Sequence, residues 1–393
     1  MAVEMIKYHV DNDILYIELS GRVDASNAAT VEAEISSIKS NNMDKHTVID
    51  ADNLEYISSA GLRVILKLRK DDAGLAIINV SPDVYEVFDM TGFTDMVKIE
   101  KAYRRLSVEG CELLGKGANG AVYRYDDETI VKTYHNKDSL PEIQQERENA
   151  RKAFVHGINT AIPYGIVRVG EGYGTVTELL KAKSISKMIK ESPDDLDEAV
   201  KYYVDMLKGI HSTEIEPDEV PDARVTVVDW VRFLEPHLPE DSYQKLVSLV
   251  DGIPEQNTLL HGDYHTNNIM VQNGEALLID MDTLSCGHPI IEFASMFNAF
   301  VGFSELDHEN TKAFLGYSFE TAGKFWRKAI ASYFDTTDDS FIDSIEEKAK
   351  IIGYTRILRR AIRRPDEVGS AQIIVHCKRM LVEGLEKVDT LLF

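Results

Sequence analysis

Leu259-Leu260-His261-Gly262-Asp263-Tyr264-His265-Thr266-Asn267-Asn268-Ile269-Met270 is followed by Leu277-Leu278-Ile279-Asp280-Met281-Asp282, which places Asp280 twelve residues beyond Asn268. Short apolar runs alternate here with polar residues able to accept protons or bind hard cations. Transfer of a phosphoryl group to a hydroxyl needs a carboxylate that orients the hydroxyl and accepts its proton, and oxygen ligands for magnesium beside the phosphates. Asp263 suits the first role, and Asn268 and Asp280 suit the second.

Upstream, Gly115-Lys116-Gly117-Ala118-Asn119-Gly120-Ala121-Val122 spells GxGxxGxV. In a dinucleotide fold the third glycine opens a helix. Here Ala121-Val122-Tyr123-Arg124-Tyr125, an acidic turn at Asp126-Asp127-Glu128, and Thr129-Ile130-Val131-Lys132 follow instead. Strand, turn and strand favour a glycine-rich hairpin laid over ATP phosphates, where any side chain would hold backbone amides away from the oxygens. Lys132, ending the second strand, is the candidate phosphate contact. The spacing predicts a helix over 143–154 with Ile143, Glu146, Ala150 and Ala153 on one face. Glu146 is therefore the expected partner of Lys132, with Glu148, on another face, as the alternative.

Towards the N-terminus, residues 1–105 read as a separate α/β unit: strands at Ile14–Leu19, Thr47–Ile49 and Leu75–Val80, helices over Val31–Ile38 and Ala60–Leu68. Asp24 and Ser26 are candidate caps for the first helix. The charged break Ala102-Tyr103-Arg104-Arg105-Leu106 leads into a second unit, 106–393, strand-rich to about residue 180 and mainly helical from 181 on. A length of 393 residues with 44% hydrophobic content suffices for two cores. The formal net charge of -23 argues against nucleic acid or an anionic membrane as a main partner. Cys111, Cys286 and Cys377 show no CxxC spacing. Met1-Ala2-Val3-Glu4 shows no signal-peptide pattern, and no run of about 18 apolar residues could span a bilayer. A cytoplasmic location is expected.

The string from His261 to Asn268, with Ile279-Asp280-Met281-Asp282, resembles the aminoglycoside phosphotransferase and choline kinase superfamily, firmly over residues 107–300. That resemblance implies an α+β bilobal protein-kinase-like fold following the α/β unit, with ATP in the cleft and magnesium. It implies Asp263 as catalytic base, Asn268 and Asp280 as metal ligands, and Lys132 with Gly115, Gly117, Gly120 and Val122 around the phosphates. The strand Gly174-Thr175-Val176-Thr177-Glu178-Leu179-Leu180 resembles the hinge that meets adenine, which makes Glu178 and Leu180 cofactor-binding residues. His261 looks structural. Glu292 stands where such families often carry Asp.

The first unit resembles a STAS domain, the fold of anti-sigma factor antagonists, on Asp50-Ala51-Asp52-Asn53-Leu54-Glu55-Tyr56-Ile57-Ser58-Ser59-Ala60-Gly61-Leu62. Ser59 aligns with the serine that a partner kinase phosphorylates in that family, whereas Ser58 replaces the usual Asp. Ser58 or Ser59 as a helix cap is the alternative. Such a domain implies a possible protein partner.

Three functions follow. The leading one is phosphorylation of a small-molecule hydroxyl on an aminoglycoside, sugar or amino-alcohol, since no extended activation segment follows Asp280. The second is a signalling kinase acting on a protein serine such as Ser59. The third is a nucleotide-sensing scaffold, disfavoured because no catalytic residue is missing. The acceptor pocket is expected around Trp230, Phe233, Leu234 and His237 and from helices over 293–330, with Glu235 and Asp282 as attractors of a cationic acceptor.

Overall fold

In the computed structural model, residues 5–116, 120–137, 139–161 and 163–393 are described. The chain divides into two compact units, one ending at Leu106 and one beginning at Ser107.

The first unit is a five-stranded sheet in the order β1-β2-β3-β4-β5. Its strands are β1 Ile6–Asp11, β2 Ile14–Val23, β3 His46–Ile57, β4 Ala76–Val80 and β5 Lys98–Lys101. β1 and β2 are antiparallel, and β2 through β5 run parallel. Helices α1 Ala28–Ser40, α2 Ser59–Asp71 and α3 Pro82–Met90 make the crossovers. On β2, Leu15, Ile17 and Leu19 are buried while their neighbours are not, the period-2 signature of one covered face. They pack with Ile35 of α1, Ile65 of α2 and Phe88 of α3 in one core. The cap of α1 differs from expectation: it is Asn27, with no side-chain cap bond. Asp24 instead accepts from the Ser26 backbone N–H and hydroxyl, closing a turn ahead of the helix. A short strand, β6 Arg104–Leu106, ends this part of the chain.

The second unit opens with β7 Glu112–Lys116, β8 Gly120–Arg124, β9 Thr129–Tyr134, β10 Pro163–Val169 and β11 Gly172–Glu178, ordered β10-β11-β9-β8-β7 and antiparallel throughout. Helix α4, Leu140–Val155, lies between β9 and β10 in sequence. The rest is helical. First come β12 Lys183–Ser184, α5 Ile185–Glu191, α6 Asp197–His211, α7 Ala223–Phe233 and α8 Glu240–Asp251. Short strands β13 Leu259–Leu260, β14 Ile269–Gln272, β15 Glu275–Leu278 and β16 Ser285–Cys286 follow. Helices α9 Ile290–Phe300, α10 Glu309–Leu315, α11 Phe319–Phe334, α12 Asp339–Arg363 and α13 Ser370–Leu385 complete it. Every residue of α9 is buried, so this helix is the axis about which the lobe packs. A small sheet followed by a larger helical lobe is the bilobal protein-kinase-like arrangement. No helix among the described residues is long and apolar enough to cross a membrane.

Candidate active site

The β8–β9 hairpin builds one wall. Gly120 pairs with Tyr134 so closely that an added Cβ would lie 1.7 Å from the Thr133 carbonyl oxygen, so only glycine fits. Gly117 lies outside the described residues. Gly115 ends the other side of the loop, on β7. Lys132 does not close its strand as expected: β9 runs on to Tyr134, whose hydroxyl donates to Glu146 Oε2 at 2.8 Å.

Lys132 Nζ donates to Glu146 Oε1 at 2.8 Å and to Asp280 Oδ1 at 2.9 Å. Burial opposes the lysine's charge, but the two carboxylates outweigh it and hold the ammonium firmly protonated. Glu148 turns away and pairs with Arg151. The lysine and Glu146 line a cavity of about 320 Å³ with Val122, Glu178, Leu180 and Asp280. Strand β11 thus forms one edge of this cavity and Asp280 another.

Asp280 follows β15 in a left-handed conformation, φ 65°, uncommon for a residue with a side chain. The preceding Ile279 N–H donates to the Asn268 carbonyl at 2.9 Å, and Asn268 Nδ2 donates to the Asp263 carbonyl at 3.0 Å. Hydrogen bonds therefore tie the segments of Asp263, Asn268 and Asp280 together, and Lys132 joins through Asp280.

The loop bearing Asp263 is held by hydrogen bonds from its neighbours. His261 Nε2 donates to the Ile279 carbonyl at 3.1 Å, and its Nδ1 accepts from the Asp263 N–H at 3.3 Å. Both ring nitrogens are thus engaged as a neutral tautomer, and burial lowers its pKa accordingly. Gly262 adopts φ 84°, and a Cβ there would meet the Thr283 carbonyl at 2.5 Å. Glu292, fully buried on α9, accepts from the His261 N–H at 2.6 Å and the Gly262 N–H at 3.0 Å. Burial raises its carboxyl to about 7, with these two donors opposing the shift. Tyr203 and Tyr264 exchange hydroxyl-to-carbonyl bonds beneath the loop.

Asp263 Oδ2 lies 3.4 Å from His265 Nε2. Burial would raise the Asp263 pKa, but His265, His261 and Arg356 prevail and keep it below the ordinary range. The aspartate is a carboxylate at neutral pH, as a group that orients a hydroxyl must be. At the cleft, desolvation and then the Asp280 and Glu146 carboxylates raise Asp282 to about 6. Such crowding of negative charge suits a cation. Among the described residues no three His, Cys, Asp or Glu side chains form a metal cluster. Magnesium fits nonetheless, since it is commonly held by one or two protein oxygens with substrate phosphates and water.

The expected acceptor pocket is only partly placed as read from sequence. The cavity that includes Asp263 is formed by α9, α10, α12 and α13, not by the residues around Phe233 and His237. Leu234 is core, and Phe233 stacks on His237. Trp230 and Asp282 line a separate, smaller cavity. Tyr134, Asn149 (whose amide donates to the Met281 carbonyl at 2.9 Å) and the anchoring role of Glu292 were not read from the sequence. The signal for Glu292 was present: an acidic residue in the apolar run Ile290-Ile291-Glu292-Phe293-Ala294 has to be buried with partners.

Residues 5–106 match the STAS domain family. The chain is 36% identical over 85 residues to the anti-sigma factor antagonist BtrV of Bordetella bronchiseptica, covering 21% of this chain and 72% of that protein. It is 30% identical over 90 residues to the anti-sigma F factor antagonist of Paenibacillus polymyxa, covering 22% and 77%. Among solved structures, the ADP-bound aminoglycoside phosphotransferase APH(2'')-Ib is similar at 14% identity and TM-score 0.49, covering 76% of this chain and 98% of that one. A choline/ethanolamine kinase family protein from Mesorhizobium loti is similar at 11% identity and TM-score 0.47, covering 71% and 92%. Residues 110–324, more than half of the chain, match the phosphotransferase enzyme family, and the protein belongs to that family, with a STAS domain at its N-terminal end.

Proposed function

We propose that the protein transfers the γ-phosphate of ATP, with magnesium, to a hydroxyl of a small molecule of the sugar, amino-alcohol or aminoglycoside kind. The observation that carries this reading is the set of hydrogen bonds from Lys132 to Asp280, from the adjacent Ile279 to Asn268 and from Asn268 to Asp263, with Lys132 and Asp280 lining a cavity of about 320 Å³.

In this reading adenine lies along the hinge at Glu178 and Leu180. Gly115, Gly120 and Val122 lie over the phosphates, and Lys132, steadied by Glu146, contacts them. Asn268 and Asp280 would hold magnesium, which supplies positive charge against that developing on the transferred group. Asp263 accepts the proton of the acceptor hydroxyl as its oxygen attacks the γ-phosphorus. The new O–P bond forms, the bond to the β–γ bridging oxygen breaks, and ADP departs with that electron pair. Positioning and electrostatics supply most of the rate.

The test is ADP release with magnesium-ATP against a panel of hydroxyl acceptors, comparing the native protein with Asp263→Asn. Loss of a general base is expected to lower turnover by about 10²–10⁴-fold with an unchanged melting temperature. Retained turnover removes Asp263 from the role.

A second reading, a kinase for a protein serine, draws on one observation. Ser59 is exposed at the start of α2, while Ser58 accepts the capping hydrogen bonds. A phosphate on Ser59 would meet the favourable end of the helix dipole. Intact mass after incubation with magnesium-ATP separates the readings: added phosphate on this chain without small-molecule turnover favours signalling.

A further inference from the structure

A cavity of about 480 Å³ opens beside Asp263. Its polar lining includes Asp263, Ser295 and Asn298 of α9, Arg356 and Arg360 of α12, and Glu367 beyond α12. A pocket for a cationic acceptor would present carboxylates. This one presents two guanidinium groups beside the carboxylates of Asp263 and Glu367, in a chain whose net charge is -23.

The charges are unevenly satisfied. Glu367 is shared between Arg364, at 2.9 Å, and Arg360, at 3.8 Å. Arg356 has no carboxylate within ion-pair distance among the described residues. Its Nη1 lies 3.4 Å from the Ser295 hydroxyl, and its guanidinium 5.7 Å from the centre of the Trp230 ring. Ser295 in turn donates to the Gly262 carbonyl at 2.9 Å, so Arg356 is one hydroxyl away from the loop that bears Asp263.

Asn298 belongs to the same lining. It is 2% exposed, and neither its amide nitrogen nor its oxygen has a partner among the described residues. Buried polar groups are nearly always hydrogen-bonded, and leaving one bare is costly. Both atoms are closed off, with the oxygen lying against Gly302 and Gly353, so the amide belongs to the packing behind the cavity and not to its open face.

We propose that the acceptor is a hydroxyl compound bearing a carboxylate or phosphate. Arg356 and Arg360 hold the anion, and the reacting hydroxyl faces Asp263. Planar guanidinium forks match both oxyanions, and such charge-assisted bonds are the strong ones. The assignment rests on the small-molecule reading above and narrows it away from cationic aminoglycosides and amino-alcohols.

The experiment measures ADP release by the full chain with matched anionic, neutral and cationic acceptors: gluconate, glucose and glucosamine; glycerate, glycerol and ethanolamine. Glucose 6-phosphate separates phosphate from carboxylate recognition. In parallel, calorimetry with Asp263→Asn protein measures binding of the same compounds without turnover. The anionic member is expected to be preferred by about tenfold or more in kcat/KM, the size of one charge-assisted bond. That preference should collapse in Arg356→Gln and in Arg360→Gln protein of unchanged melting temperature. A preference for the cationic member, or an anionic preference that neither variant moves, overturns the proposal. If no compound is turned over, the small-molecule reading falls, and calorimetry decides the pocket by itself. Anion binding lost in the arginine variants upholds an anion site, and no anion binding overturns it.

Discussion

Glu292 is a fully buried carboxyl, held by two backbone N–H donors of the loop that carries Asp263. Burial raises its pKa from 4.5 to about 7, so the folded protein binds this proton more tightly than the unfolded chain. Stability should therefore fall as pH rises between about 4.5 and about 7, with the full cost in place above that window. Glu292→Gln removes the titration and turns an amide N–H₂ towards one of the two donors. The variant is expected to be less stable by about 1–3 kcal/mol near pH 5. That gap should narrow as pH approaches 7.5, read by urea denaturation across pH. Parallel curves for the two proteins would show that Glu292 does not titrate in this range. At this scale the sequence named Asp263, Asn268, Asp280, Lys132 and Glu146 because their identities and order carry chemistry. It was silent on what surrounds them, since a residue such as Arg356 acquires meaning only from what lies across a cavity.

Among the elements, α2 shows where local sequence is nearly sufficient. Ser58-Ser59 before Ala60-Gly61-Leu62 predicts a cap, and only backbone geometry decides between the serines. Ser58 has extended backbone angles, φ -93° and ψ 175°, and its hydroxyl accepts from the Ala60 and Gly61 N–H groups at 3.2 and 3.5 Å. Ser58→Ala should accordingly cost the first unit about 1 kcal/mol, whereas Ser59→Ala should be close to neutral, as an exposed substitution away from the cap. The reverse ranking by chemical denaturation would move the cap to Ser59 and leave less room for its modification. Strand lengths were less legible. β3 spans twelve residues, not the three apolar ones at Thr47–Ile49, because Asp50, Asp52, Asn53 and Glu55 are strand residues whose apolar partners Ala51, Leu54 and Ile57 face the core. The cap of α1 was misplaced for a related reason. Asp24 and Asn27 bond each other's neighbourhood, Asn27 Oδ1 accepting from the Asp24 N–H at 2.9 Å, before the helix begins. Short polar side chains have several backbone partners within reach, and composition does not choose among them.

For the whole molecule, two cores exist that share no residue. One joins the sheet and helices of the STAS domain, and the other runs through the phosphotransferase domain around α9. Two cores permit two unfolding transitions, and a single melting temperature would then be ill-defined. The sequence supplies the means to tell them apart, because both tryptophans, Trp230 and Trp326, belong to the second unit. Tryptophan fluorescence should follow the phosphotransferase domain alone, while calorimetry follows both. A ligand that binds only the native phosphotransferase domain stabilises only that transition. At about a hundred times its dissociation constant, ADP with magnesium should add about 2.7 kcal/mol, a rise on the order of 5 °C for a domain of this size. The fluorescence-silent transition should stay in place, and Ser58→Ala should lower it while leaving the fluorescent one unmoved. A single transition that ADP shifts as a whole, in fluorescence and in heat, would show that the two domains unfold as one cooperative body. Nucleotide binding would then be energetically coupled to the STAS domain, which is the condition any regulation of one by the other requires.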